Sequence, residues 1–237
     1  MIKEALQYLL GLAEKDVITV ADRSYTPKNL KAIKDPEAPT LIIHTLTGIV
    51  NYIKDNFDDF SNEDIFLHIL DHSNVFLYSN TYGDWKQRDL YIQAELPKMN
   101  IFHFNDWYDC DKFIIELQSK FVQDDVTKEI LSVVGNITDE SVKNINDDGI
   151  TQNVNIRQGI TRVGQTKVPN PVILKPHRTF QEIEQPASAF VLRMESGRGG
   201  LPRIALFDAD GGYWKLDAIK NIKGWIAKEL PSITIIA

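Results

Sequence analysis

A chain of 237 residues, 43% hydrophobic and 25% charged, is long enough to bury a sizeable core and too apolar for wholesale disorder. Its single cysteine, Cys110, excludes an intramolecular disulfide and a cysteine-rich zinc site, and fits a reducing compartment. The net charge of −7 is uneven: residues 1–135 carry 22 acids against 13 bases, and residues 136–237 carry 11 against 13.

Ile2, Leu6, Leu9, Leu10 and Ala13 recur at helical spacing, which predicts an amphipathic helix over residues 2–14. The acid at Glu4 and the lack of a small-residue cleavage site after Leu10 make this stretch a helix rather than a leader peptide. Val17–Val20 and Ser24–Thr26 flank Ala21-Asp22-Arg23 as a small hairpin, and Pro27, Pro36 and Pro39 mark an irregular connection. Leu41-Ile42-Ile43 predicts a short strand. Thr45 or Thr47 then caps a helix with Leu46, Ile49, Val50, Ile53 and Phe57 on one face.

The clearest β pattern is Ile65–Leu70, Val75–Ser79 and Leu90–Glu95, a three-stranded antiparallel meander with turns at His72-Ser73-Asn74 and Tyr82-Gly83-Asp84. Ile101–Phe104 is expected as a fourth strand. Asp109 or Asp111 caps a helix carrying Phe113, Ile114, Leu117 and Phe121, and Asp124-Asp125 opens another that ends at Gly135.

Composition changes after Gly135. Residues 136–171 are rich in Asn, Asp, Gln, Gly and Thr, carry a hairpin signal at Asp148-Gly149, and read as an extended polar β-arm or linker. Strands are then expected at 172–174, 179–184, 189–194, 203–207 and 213–216. A helix over 219–230 and a terminal strand over 232–237 follow. Helices gather in residues 1–135 and strands in residues 172–237, so the fold class is α+β, with the two regions packed together across the arm.

Candidate chemistry is sparse. His68 and His72 have helical metal-ligand spacing but fall on a strand and a turn, where residues four apart lie about 13 Å from each other. Cys110 lies between Asp109 and Asp111, whose charges oppose thiolate formation, so a structural cysteine is expected. Asp208-Ala209-Asp210-Gly211-Gly212 resembles the start of a calcium loop but has Ile219 where the closing Glu belongs, and reads as a tight turn. The glycine-rich Ser196–Gly200 stretch lacks the Lys-Ser/Thr of a phosphate loop and reads as a hairpin. No catalytic constellation and no cofactor is indicated.

The stretch 157–178 holds Arg157, Arg162, Lys167, Lys175 and Arg178 without an acid. Its partner is an acidic surface of the same or a neighbouring subunit, or phosphates, or solvent alone. With Arg198 in the later hairpin, these residues are the candidates for subunit contact or nucleic-acid contact. Aromatic and basic residues also adjoin at Trp85-Lys86-Gln87-Arg88 and Tyr213-Trp214-Lys215, a pattern shared by strand-end packing and single-strand binding.

The order of features resembles the YfdQ-like family of phage and prophage proteins. The likeness runs through Leu30–Pro36, Thr45–Ile53, the meander ending in Trp85–Arg88, the helix pair, Pro186–Phe190 and Leu201–Ile204, and covers most of the chain. It implies a phage accessory protein of the bacterial host cytoplasm, without assigned enzyme activity and without carried-over catalytic residues. With it, self-assembly into a large closed homo-oligomer, a hollow shell among its forms, becomes the leading expectation. An early phage protein that associates with nucleic acid through 157–178 is the alternative. No apolar run reaches the roughly 18 residues of a membrane span, so no membrane partner is expected.

Overall fold

The computed structural model describes residues 2–13, 18–20, 23–25, 38–83, 86–98, 101–137, 146–147, 152–158, 162–167, 170–197 and 201–237. The chain divides into two units, Met1–Ala38 and Pro39–Ala237. In the first, helix α1 (Ile2–Ala13) precedes a hairpin of β1 (Ile18–Val20) and β2 (Arg23–Tyr25), paired with Ile18 opposite Tyr25. Both were expected from the periodicity.

The second unit contains two sheets with a core each. The first sheet is mixed, in the order β14-β4-β5-β6-β3: β3 (Leu41–Ile43), β4 (Ile65–Ile69), β5 (Asn74–Ser79), β6 (Leu90–Glu95) and β14 (Thr234–Ile236). Strands β4 to β6 are the expected antiparallel meander, and β14 and β3 flank it in parallel. Helices α2 (Leu46–Asp55) and α5 (Trp214–Glu229) pack on it, burying Leu46, Ile49, Ile222 and Ile226 against Leu67, Leu77 and Ile92. Thr45 caps α2 by accepting from the Gly48 amide at 3.1 Å, as its position predicts, and Asn56 closes the helix at φ +46°. The alternate positions of the sheet carry an aromatic ladder. Phe66 stacks on Tyr78 at 5.7 Å, His68 lies 6.3 Å from Phe76, and the Arg88 guanidinium sits 4.7 Å over Phe66.

The second sheet is antiparallel, in the order β11-β12-β13-β7: β7 (Tyr108–Asp109), β11 (Val172–Leu174), β12 (Ser188–Ser196) and β13 (Pro202–Asp208). Helices α3 (Cys110–Lys120) and α4 (Asp125–Gly135) cover it, with Phe113, Leu117 and Ile130 buried against Phe190, Leu192 and Leu206. Asp124 caps α4 through the Thr127 amide at 2.9 Å, and Cys110 is half-buried with its thiol 3.6 Å from the Pro202 carbonyl. Strands from both 39–135 and 172–237 share each sheet, so the two regions form one interleaved body rather than adjacent blocks. The fold is α+β.

Between them in sequence, β8 (Asn146–Asp147), β9 (Gln152–Gln158) and β10 (Arg162–Lys167) form a third, antiparallel sheet. Among the described residues it shares no strand with the other two. The Asp148-Gly149 turn lies outside the described residues.

Three expected strands are absent. Residues 101–104 are loop, held where the Tyr108 hydroxyl accepts from the His103 amide and donates to the His103 carbonyl. Residues 179–184 are also loop. Phe180 and Ile183 both enter the first core three residues apart, a spacing no strand permits on one face, and the Gln185 amide donates to the Phe180 carbonyl at 2.9 Å. Residues 214–216 begin α5 instead, because Trp214, Ala218, Ile222 and Ile226 are one buried stripe four residues apart.

Candidate functional site

The six basic residues singled out in the sequence occupy different surroundings. Arg157 stands on β9 opposite Val163, Arg162 on β10 opposite Gln158, and Lys167 opposite Asn153, all in the separate sheet. Arg198 lies outside the described residues. Lys175 is paired with Glu184 at 2.7 Å, and its hydrogen bond, reinforced by its charge, holds the Glu184 carboxyl below its usual range. Arg178 is buried, 7% exposed, at the wall of a cavity.

That cavity, about 500 Å³, lies where the segment after β11, the loop after β13 and the start of α5 meet the loops after β4 and before β7. Its polar wall is Arg178, His72, His177, Lys215 and Asp208, and its flat walls are Phe102, Phe104 and Trp214. The Asp208–Tyr213 loop turns on Gly211 and Gly212, at φ +62° and +83°, a conformation only glycine adopts without strain. The turn presents Asp210, which accepts from the Gly212 amide at 2.8 Å and from the Ser188 hydroxyl at 2.5 Å. Ser188 in turn accepts from the Arg178 Nη2. A three-member chain, arginine to serine to carboxylate, therefore ties the loop to β12.

The guanidinium also lies 3.8 Å over the Trp214 ring, and His72 meets the same ring edge-on at 4.7 Å. The Thr179 hydroxyl donates to the His72 carbonyl at 2.5 Å, which anchors that turn to the segment carrying Arg178. Two of the side-chain polar atoms that are buried without a hydrogen-bond partner among the described residues belong to this cavity's lining: Arg178 Nε and His72 Nδ1. Burial pulls the Arg178 pKa down to about 10, against the opposing pull of Asp210 and Asp208. Burial likewise lowers His72, with Asp71 opposing and Lys215 and Arg178 reinforcing, a shift that favours the neutral imidazole.

Arg178 was legible in the sequence only as one base among several. Trp214 was noted for its neighbour Lys215 and His72 for its spacing from His68, while Phe102 and Phe104 carried no signal of a site, because residues 72, 102, 178 and 214 come together only through the tertiary fold. No protein-family model, curated protein or solved structure matches the chain. What the fold and its residues define is an α+β protein with an arginine–tryptophan cavity and a separate polar β-sheet. Among the described residues no helix is long and apolar enough to cross a membrane.

Proposed function

We propose that this is a phage-encoded, non-enzymatic structural or accessory protein that self-assembles in the bacterial host cytoplasm into a large closed homo-oligomer, a hollow shell being the form tested first. The observation that carries the proposal is the arm sheet of β8 to β10. Its strands, Gln-Asn-Val-Asn-Ile-Arg-Gln and Arg-Val-Gly-Gln-Thr-Lys, hold too few apolar groups to build a core of their own. Small sheets without such a core are marginal in water, and their edges are templates for pairing with another chain.

Two further features agree. Helix α1 leaves Ile2 and Leu6, four residues apart on one face, at 80% and 55% exposure, an apolar pair suited to a neighbouring copy. Edge strand β3 exposes Leu41 and Ile42. A second copy of the chain covers these surfaces and completes the arm. The resemblance to the YfdQ-like phage proteins points the same way.

Size-exclusion chromatography with light scattering tests the reading. The expected result is a discrete particle of many copies that falls to a small, folded species when residues 140–168 are deleted. A monomer at micromolar concentration refutes it.

Association with nucleic acid through 157–178 is the second reading, favoured by the placement of Arg157, Arg162 and Lys167 on one hairpin. Lys175 and Arg178 contribute less to it, being engaged by Glu184 and by Trp214. Anisotropy titrations at low and moderate salt test it. Steeply salt-dependent binding, weakened by alanine at positions 157, 162 and 167, supports it, and no binding at low salt ends it.

A further inference from the structure

We infer that the cavity between Arg178, His72 and Trp214 is a binding site for a small, flat monocarboxylate, an aromatic or unsaturated ring system bearing one carboxylate group. The inference concerns a part of the molecule distinct from the arm and does not rest on the assembly reading.

The first ground is the state of Arg178. A guanidinium is a planar fork of N–H donors that folded proteins saturate when they bury it. Arg178 is buried yet makes one side-chain hydrogen bond, to Ser188, and among the described residues it has no carboxylate within ion-pair distance. Its nearest acid, Asp210, is reached only through the serine. Desolvating such a group without pairing it is costly, and a bound carboxylate removes that cost by accepting the unmatched N–H groups in the bidentate manner arginine favours.

The second ground is that another orphan lies close by. His72 Nδ1 is also buried and unpartnered, and its ring meets the same tryptophan that Arg178 covers. Two unmatched polar atoms on side chains that both contact one indole mark a site that is incomplete in the chain alone. Elsewhere the same segment is fully matched: the Gln185 side chain, equally buried, accepts from the Arg178 amide at 3.2 Å and donates to the Phe180 carbonyl.

The third ground is the shape and charge of the cavity. Phe102, Phe104 and Trp214 offer flat walls, and Leu96, Ile101 and Pro176 complete an apolar floor, which suits a ring. On its lining Arg178 and Lys215 oppose the one acid, Asp208. The excess is a single positive charge, which matches a carboxylate and disfavours a phosphate dianion. Lys215, exposed at the start of α5 with its ammonium 5.9 Å from the Trp214 ring, stands where it steers the anion in.

Isothermal titration calorimetry of the full-length chain with 2-naphthoate tests this, with 2-naphthylmethanol as the neutral counterpart and acetate as the ring-less one. Saturable binding of naphthoate is expected, about tenfold or more tighter than either control. Arg178→Met should abolish that preference, and Lys215→Ala, an exposed change that leaves the core intact, should weaken binding about threefold. The inference is overturned by no saturable naphthoate binding up to about 1 mM, a threshold of weak affinity. It is equally overturned by equal affinity for the alcohol. If Arg178→Met does not fold, Lys215→Ala decides: unchanged naphthoate affinity across low and moderate salt overturns the site.

Discussion

The segment 175–185 borders two cavities, and the two treat buried cations in opposite ways. Around one, of about 670 Å³, Lys120 is buried but paired with Glu116 and donates to the Ile101 carbonyl at 3.1 Å, while Lys175 meets Glu184. Around the other, Arg178 lies against an indole with a serine between it and its nearest acid. A cation whose charge is matched within the fold contributes to structure. One buried against an aromatic ring and left undersatisfied is held ready for something outside the chain. The contrast shows that burial alone does not separate a structural charge from a binding one; the count of matched donors does.

The contrast is tested most severely at its paired end. Glu116→Gln leaves the Lys120 ammonium buried without its counter-charge and should lower stability by about 3 kcal/mol in urea unfolding, the scale for breaking a buried pair. A loss near zero would remove the distinction between the two cavities. Ser188→Ala strips Arg178 and Asp210 of the hydroxyl that links them, and the same measurement should show a loss of ~2 kcal/mol.

Arg178→Met, by contrast, removes an undersatisfied charge while keeping an apolar body over Trp214. Its stability should stay within about 1 kcal/mol of the parent, because exchanging a buried charge for a hydrophobic side chain is often neutral. A loss as large as that of Glu116→Gln would assign Arg178 a structural role.

The smallest effect is a pH dependence. His72 has its pKa lowered in the folded state by burial first, so the unfolded chain binds the proton more readily. Stability is therefore full above the ordinary imidazole pKa of about 6.5 and declines as pH falls through it. Because the ring is half-buried, the slope should stay below about 1.4 kcal/mol per pH unit, the ceiling for one proton. Thermal melts from pH 7.5 to 5.5 should show the decline, and His72→Gln should flatten it.

Local patterns were enough for much of the architecture. The meander β4 to β6, the caps at Thr45 and Asp124, helix α4 ending at Gly135 and the tight turn at Gly211-Gly212 all follow from short-range rules of spacing and turn chemistry. The errors share one cause. At 179–184 and 213–216 the residues have strand-like composition, yet Phe180 and Ile183 were placed by the core they enter, and Trp214 by the buried stripe of its helix, rather than by their own propensity. Strand Ile101–Phe104 failed similarly, since Phe102 became the centre of an aromatic cluster with Tyr108 at 4.9 Å and Phe121 at 5.2 Å.

The sequence by itself determined the α+β class, the meander, the helix pair and a polar arm set apart in composition, because periodicity and turn residues act within a few positions along the chain. Tertiary structure alone decided that β14 and β3 flank the meander and that β7 joins the second sheet, since strand pairing depends on partners far away in sequence. It also decided that Arg178, one base in a basic stretch, is withdrawn onto Trp214 beside His72. A guanidinium's surroundings are set by whatever packs over it, and here those groups come from three distant segments of the chain.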